Sequence, residues 1–421
     1  MTRTSTDRKA PDQGGTAWMW IKIGLLSFGG PAGQIALMSQ EVVEKRRLVE
    51  SDAFDRGLSF SMMLPGPEAQ QLATWLGWRI GGLAGGLTAG LAFIIPGMAL
   101  MLLLAWVAAA YGEVPIIAAV FAAVQPVVIA VVIQALWKIA ARALNGPAFW
   151  ALAVAAFLGL AVAGLPFPLI VALAAVAGLA IARLGRGTVD PAKSDAPVAV
   201  DWSWSLRVVA VATALVFGTY LLTRALAGAE PYDDVAALFT TAAFVTFGGA
   251  YAVLPFVAER AVESYAWLGP EAMLNGLAIA EATPGPLILV NTYAGFFAGW
   301  SAAPGSGAGV LSGVLATFYT FAPSFMLILA FAPVVERIQN VPWARQALAG
   351  VSAAVVGVIA NLAIFLGQAS FFPTGFTDPA WAKLVLFAAA MGMVFGLGVS
   401  MLRLVGLGIV AGVVLHLVGL L

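Results

Sequence analysis

Glu68 and Glu281 are carboxylates carried inside long apolar stretches, residues 57–78 and 272–300. A carboxyl in a low-dielectric interior can cycle between charged and neutral forms, so proton coupling is the chemistry open to them. Each stands beside a Pro-Gly-Pro. Glu68 directly follows Pro65-Gly66-Pro67, and Glu281 lies three residues before Pro284-Gly285-Pro286. Gln71, Trp75 and Arg79 follow Glu68 at steps of 3, 4 and 4, which places all four on one helical stripe. Asn291 and Thr292 follow Pro286, and Lys22 and Arg79 supply candidate cationic charge. The plainer reading makes each acid an interfacial carboxylate, paired with Arg79 or a backbone group. It makes Trp75 and Trp78 interface or packing aromatics.

The tripeptides beside the acids recur. Phe28-Gly29-Gly30 and Pro65-Gly66-Pro67 stand 37 residues apart (28 to 65). Phe247-Gly248-Gly249 and Pro284-Gly285-Pro286 keep the same 37-residue step (247 to 284), 219 residues further on. Gly-Gly within apolar sequence ends a helix, because glycine tolerates the left-handed turn. Pro31 then suits the first position of a new helix, and Pro67 restarts one likewise. In the second set Ala250 replaces that first proline. A helix restarting inside a membrane presents free N–H groups and partial positive charge, which cannot face lipid. An anion is their natural partner. Any one such tripeptide is commonplace in membrane helices; the duplicated spacing argues for a built site. The acids break the repeat, since Glu281 corresponds to Met62 and Glu68 to Leu287.

The chain has 421 residues, 61% hydrophobic and 10% charged, with a mean hydropathy of +0.95. Soluble domains carry about 25% charge, so this is an all-α integral membrane protein. Net charge is zero and no long basic run suggests nucleic acid. There is no cysteine, which excludes thiol chemistry, and the single histidine, His416, reads as structural. No metal or cofactor is expected. Residues 1–16 are polar, lack the features of a signal peptide, and read as a disordered cytosolic tail.

Apolar windows fall at 23–40, 57–78, 80–112, 114–137 and 143–182, the last divided at Gly164–Pro168 into two short pieces. Residues 17–184 form a first membrane repeat and 185–204 a cytosolic linker. Residues 205–227 form a connecting helix and 233–421 a second repeat. There the windows are 235–258, 272–300, 310–332, 341–367 and 381–421, the last divided at Arg403. Gly77 and Gly81 echo Gly295 and Gly299, and eight extra residues fit 302–309. Six segments, one connector and six segments make an inverted repeat, as in many secondary transporters. With a cytoplasmic N-terminus most Lys and Arg fall inside. Lys45-Arg46-Arg47 disagrees if every segment spans, and agrees if the motif segments are broken and re-entrant; both arrangements stay open.

Leu26 to Pro31, Leu64 to Pro67 with Gln70-Gln71, Trp75 to Arg79, and Phe93 to Gly97 resemble the bacterial chromate ion transporter family. Thr246 to Gly249, Pro255, and Ala282 to Pro286 resemble its second domain, so the chain is similar to the long two-domain form. The resemblance implies an inner-membrane secondary transporter exporting chromate and conferring resistance, not an enzyme. Sulfate, another tetrahedral dianion, stands as the alternative substrate, and membrane lipid is the other expected partner. A homodimer is left undecided. The candidate substrate-binding residues are Phe28, Gly29, Gly30, Pro65, Gly66, Pro67, Gln70, Gln71, Phe247, Gly248, Gly249, Pro284, Gly285, Pro286 and Asn291. Lys22, Glu68, Arg79 and Glu281 are the candidates for coupling or charge.

Overall fold

A computed structural model describes residues 13–28, 30–184, 202–247, 249–305, 307–335 and 342–419. Gly29, Gly248, most of the expected tail (1–12) and most of the expected linker (185–201) lie outside the described residues. Among the described residues every regular element is helical.

The first half runs α1 (Gln13–Leu26), α2 (Gly30–Met38), a π-helical turn (Ser39–Lys45), α3 (Ser51–Ser61), α4 (Glu68–Tyr111), α5 (Pro115–Ala143), α6 (Pro147–Ala161) and α7 (Phe167–Arg183). Next comes α8 (Trp202–Ala227). The second half runs α9 (Tyr232–Val245), a 3-10 turn (Ala250–Ala252), α10 (Leu254–Glu259) and a second π-helical turn (Arg260–Ser264). It continues through α11 (Pro270–Ala282), α12 (Val290–Ala302), α13 (Ala308–Phe331), α14 (Pro342–Phe371), α15 (Trp381–Phe395) and α16 (Met401–Leu417). Prolines open α5, α6, α11 and α14, where a missing N–H costs nothing.

The 44 residues of α4 would reach about 66 Å if straight, twice a ~30 Å hydrocarbon core. The chain instead doubles back at Gly81 (φ −140°, ψ 26°) and Gly82 (φ +64°, ψ −155°). Residues 68–80 then lie along 83–111. A Cβ on Gly77 would fall on the Gly85 carbonyl, and one on Gly86 would stand 3.0 Å from the Thr74 carbonyl oxygen. Glycines thus let the two arms touch backbone to backbone. In the second half α12 and α13 pair in the same way, with Gly295 against Ala316 and Gly299 against Ala308.

The long helices are covered crosswise. α5 packs on α16, α14 and α15, whereas α14 packs on α7 and α6 as well as on α5. Small residues make both contacts. A Cβ on Gly412 would lie 2.7 Å from Val120 Cα, and one on Gly350 would lie 2.7 Å from Gly178 Cα. Three helix boundaries differ from the sequence reading. α8 includes Trp202, inside the expected linker 185–204. α1 already includes Gln13, inside the expected tail. The last window divides at residues 396–400, where Gly398 takes φ +61°, and not at Arg403. Arg403 sits exposed in the first turn of α16, where a long cationic side chain can reach the interface without ending the helix.

Candidate functional site

Two backbone hydrogen bonds bring the helix breaks together, and they cross between the halves. Gly66 N–H donates to the Thr246 carbonyl at 2.8 Å, and Gly285 N–H donates to the Ser27 carbonyl at 3.0 Å. Ser27 and Thr246 immediately precede the two Phe-Gly-Gly motifs. Each Pro-Gly-Pro is therefore tied to the break of the other half. Glycine is required here, since φ is +74° at Gly30, +117° at Gly66, +102° at Gly249 and +104° at Gly285. A side chain in that region costs about 1–2 kcal/mol. Pro67 caps the start of α4, and Pro286 caps the turn Leu287–Leu289 that leads into α12. Both restarted helices thus aim first-turn N–H groups at the breaks.

The polar side chains around this frame are buried. The Gln34 amide donates to the Gly285 carbonyl at 2.7 Å and to the Ser27 carbonyl at 3.4 Å. Gln71 donates to the Pro65 carbonyl at 2.7 Å and Gln70 to Thr74 Oγ1 at 2.8 Å. Asn291 donates to Thr320 Oγ1 at 3.1 Å. Among the described residues, the amide oxygens of Gln34, Gln70, Gln71 and Asn291 and the Ser324 hydroxyl are buried without a hydrogen-bond partner. Ser324 Oγ stands against Gly66, where a Cβ on that glycine would fall. An unmet buried polar group costs about 1–3 kcal/mol, so this cluster is suited to a polar guest.

Both acids gather at one break. The Tyr251 hydroxyl donates to Glu281 Oε1, and Glu281 is 5% exposed. Glu68 Oε1 lies 3.6 Å from where a Cβ on Gly249 would sit. Two carboxyls that the repeat does not relate thus flank residues 249–251.

The candidate cations lie elsewhere. Lys22 Nζ pairs with Glu41 at 3.2 Å, and Lys45 Nζ reaches the same carboxylate at 2.9 Å. Arg79 is exposed, not turned inward, at the outer end of its arm beside the Gly81 reversal. Eleven residues of helix separate it from Glu68, about 16 Å, so that pairing is not made. Phe28 and Phe247 are half-buried at their breaks, while Pro65, Pro284 and Pro286 complete the turns. Sequence reasoning missed Gln34, Glu41, Tyr251 and Ser324. Gln34 had a signal, as a polar residue inside the window 23–40. Tyr251 had none in residue type.

The family model described as Chromate transporter matches residues 15–179 and 234–413. The chain belongs to the chromate transporter family. Chromate transport protein of Pseudomonas aeruginosa is 31% identical over 366 residues, covering 83% of this chain and 80% of that protein. Chromate transport protein of Cupriavidus metallidurans is 24% identical, covering 89% and 86%. A probable chromate transport protein of Synechococcus elongatus is 26% identical, covering 83% and 84%. No solved structure matches. Members of the chromate transporter family are transporters, not enzymes. This chain is an apolar multi-pass helical assembly, with five helices among the described residues long and apolar enough to cross a membrane.

Proposed function

We propose that this chain is a secondary transporter carrying chromate, a tetrahedral dianion, out of the cytoplasm across the bacterial inner membrane. Such export would confer chromate resistance. The observation that carries the reading is the crossed pair of bonds, Gly66 to Thr246 and Gly285 to Ser27, in a member of this family. Four breaks joined by two equivalent bonds fit two halves related by a twofold axis in the membrane plane, with the site between them. The halves are residues 17–184 and 233–421, and α8 inverts the second. The motif segments are re-entrant: α2 and α3 have 9 and 11 residues, about 14–17 Å, too short for a ~30 Å core. The loop carrying Lys45, Arg46 and Arg47 then stays on the cytoplasmic side with the N-terminus.

The anion is held by first-turn N–H groups of α4 and the α12 segment, with Gln70, Gln71, Asn291 and Ser324 around it. Protonation of Glu68 and Glu281 admits the dianion, and their ionisation repels it. A dianion leaving a negative-inside cell moves downhill by about 2.3 kcal/mol per charge per 100 mV, roughly 4–5 for two charges. The potential therefore suffices, and protons tune affinity. The test is flux of labelled chromate in proteoliposomes under separately imposed voltage and pH gradients, with sulfate as competitor. Saturable, voltage-driven chromate flux is expected. Non-saturating flux would make the protein a passive pore, and equal transport of sulfate would make it a general oxyanion carrier.

A further inference from the structure

α8 carries none of the breaks itself. It meets α13 and α9 and leaves most of its surface exposed. Between α8, α13 and the outer arm of α4 runs a cavity of about 670 Å³. Its walls are apolar, with Leu87 and Leu91 on α4, Val211 and Leu215 on α8, and Phe318 and Phe325 on α13. Leu87, Leu91, Val211 and Leu215 are exposed, so the groove opens toward whatever surrounds the protein. In a membrane protein that surrounding medium is hydrocarbon.

Only one end carries charge. Arg207 lines the groove there, and its Nε and Nη2 donate to the Ser203 carbonyl and hydroxyl at 3.0 and 3.1 Å. These bonds hold the guanidinium at the mouth. Trp204 lines the same end and donates through Nε1 to the Leu329 carbonyl at 2.9 Å, and Ser205 donates to the Ala330 carbonyl at 2.8 Å. The start of α8 is thus fixed to the end of α13. Indole and guanidinium together are the pair that settles at a headgroup level. The groove's length also fits a lipid. Lining residues run from Trp204 to Leu215 on α8 and from Leu83 to Met98 on α4. At 1.5 Å per residue those runs are about 16 and 22 Å. Half of a ~30 Å core, the depth of one leaflet's acyl chain, is about 15 Å.

We infer that this groove binds one acyl chain of an anionic phospholipid, with the headgroup phosphate on the Arg207 guanidinium. Charge complementarity selects the anionic headgroup, and the apolar walls select the chain. The groove lies on α4 and α13, which also carry Gly97 against the Pro284 carbonyl and Ser324 against Gly66, but lipid binding there does not depend on how the substrate is carried.

Native mass spectrometry of the full-length protein in detergent tests the inference, with phosphatidylglycerol and phosphatidylcholine offered in turn. Wild type should retain phosphatidylglycerol in preference. Arg207→Gln should lower that preference about five-fold, the effect of one cation near a lipid surface, and Arg207→Lys should restore much of it. Ala212→Trp, which fills the groove, should lose both lipids. Equal retention of the two lipids by wild type, or an unchanged preference in Arg207→Gln, would overturn the inference. So would an Ala212→Trp variant that keeps its lipid, or one that merely splits a dimer of this chain. If Ala212→Trp does not fold, the Gln and Lys variants at position 207 decide the matter alone.

Discussion

At the first break, residues 27–30, the side chain that meets the incoming Pro-Gly-Pro is neutral: the Gln34 amide donates to the Gly285 carbonyl at 2.7 Å. At the second break, residues 246–249, the neighbours are acids. Glu68 lies against Gly249, and Tyr251 donates to Glu281. The backbone is shared, down to the left-handed glycines and the one crossed bond at each break. The side chains are not. Shifted by 219 residues, Gln34 becomes Val253, Tyr251 becomes Ala32, Glu281 becomes Met62 and Glu68 becomes Leu287. Every polar group that distinguishes one break is apolar at the other. The duplicated frame holds the breaks in place, and single substitutions on that frame give the two sides different chemistry.

The strongest way to break this comparison is to attack what the halves share. Gly66→Leu and Gly285→Leu should each lower flux at least about 100-fold while the protein still inserts. Each combines left-handed strain with a clash, on Ser324 at Gly66 and on Leu289 at 3.0 Å at Gly285. Gly30→Ala should be much milder. Nothing lies within 4 Å of its added Cβ, so only the strain of about 1–2 kcal/mol remains. Flux per inserted protein in proteoliposomes measures all three, and wild-type rates in the leucine variants would end the broken-helix site.

The next test separates the breaks. Glu281→Gln should flatten the pH dependence of transport, and Tyr251→Phe should shift it less, through loss of one hydrogen bond. An unchanged profile in Glu281→Gln would remove that residue from coupling. Gln34→Leu should act differently. It leaves the buried Gly285 carbonyl unmet, at a cost of about 1–3 kcal/mol, and should lower the melting temperature and flux several-fold with the pH profile intact. A pH shift from Gln34→Leu would erase the distinction between the two sides.

The smallest effect belongs to the charges outside the breaks. Lys22→Gln should leave transport near wild type, because Lys22 serves Glu41. The hydrogen bond from Lys45 and then that from Lys22 hold the Glu41 carboxyl below its ordinary range. A depressed carboxylate contributes stability above its unfolded pKa, near 4.5, and loses it as pH falls through the folded value. Glu41→Gln should therefore lower thermal stability at pH 7 and change it little in acid, which a melting series across pH would show.

The breaks were legible because glycine and proline act locally: Gly66 and Gly285 need φ values that few other residues accept. The Gly81 reversal was legible too, since the windows 57–78 and 80–112 part beside it. The crossing of the bonds was not. Gly66 and Thr246 are 180 residues apart (66 to 246), and no local propensity reports which break meets which. Arg79 misled because helical spacing gives a face but not a depth. Its stripe runs from the buried Gln71 and Trp75 out to an exposed end. Ser324 was hidden because it matters through contact with Gly66, on a helix far along the chain.

The crosswise covering of α5 and α14 has a consequence for how the molecule is made. α5 finds its main neighbours in α16, α14 and α15, which leave the ribosome long after it. Until they arrive, an early rod of the protein waits half-dressed in the bilayer. Assembly of this flank therefore waits for helices of the second half, and a chain stopped before residue 342 would leave it largely bare for quality-control proteases to find.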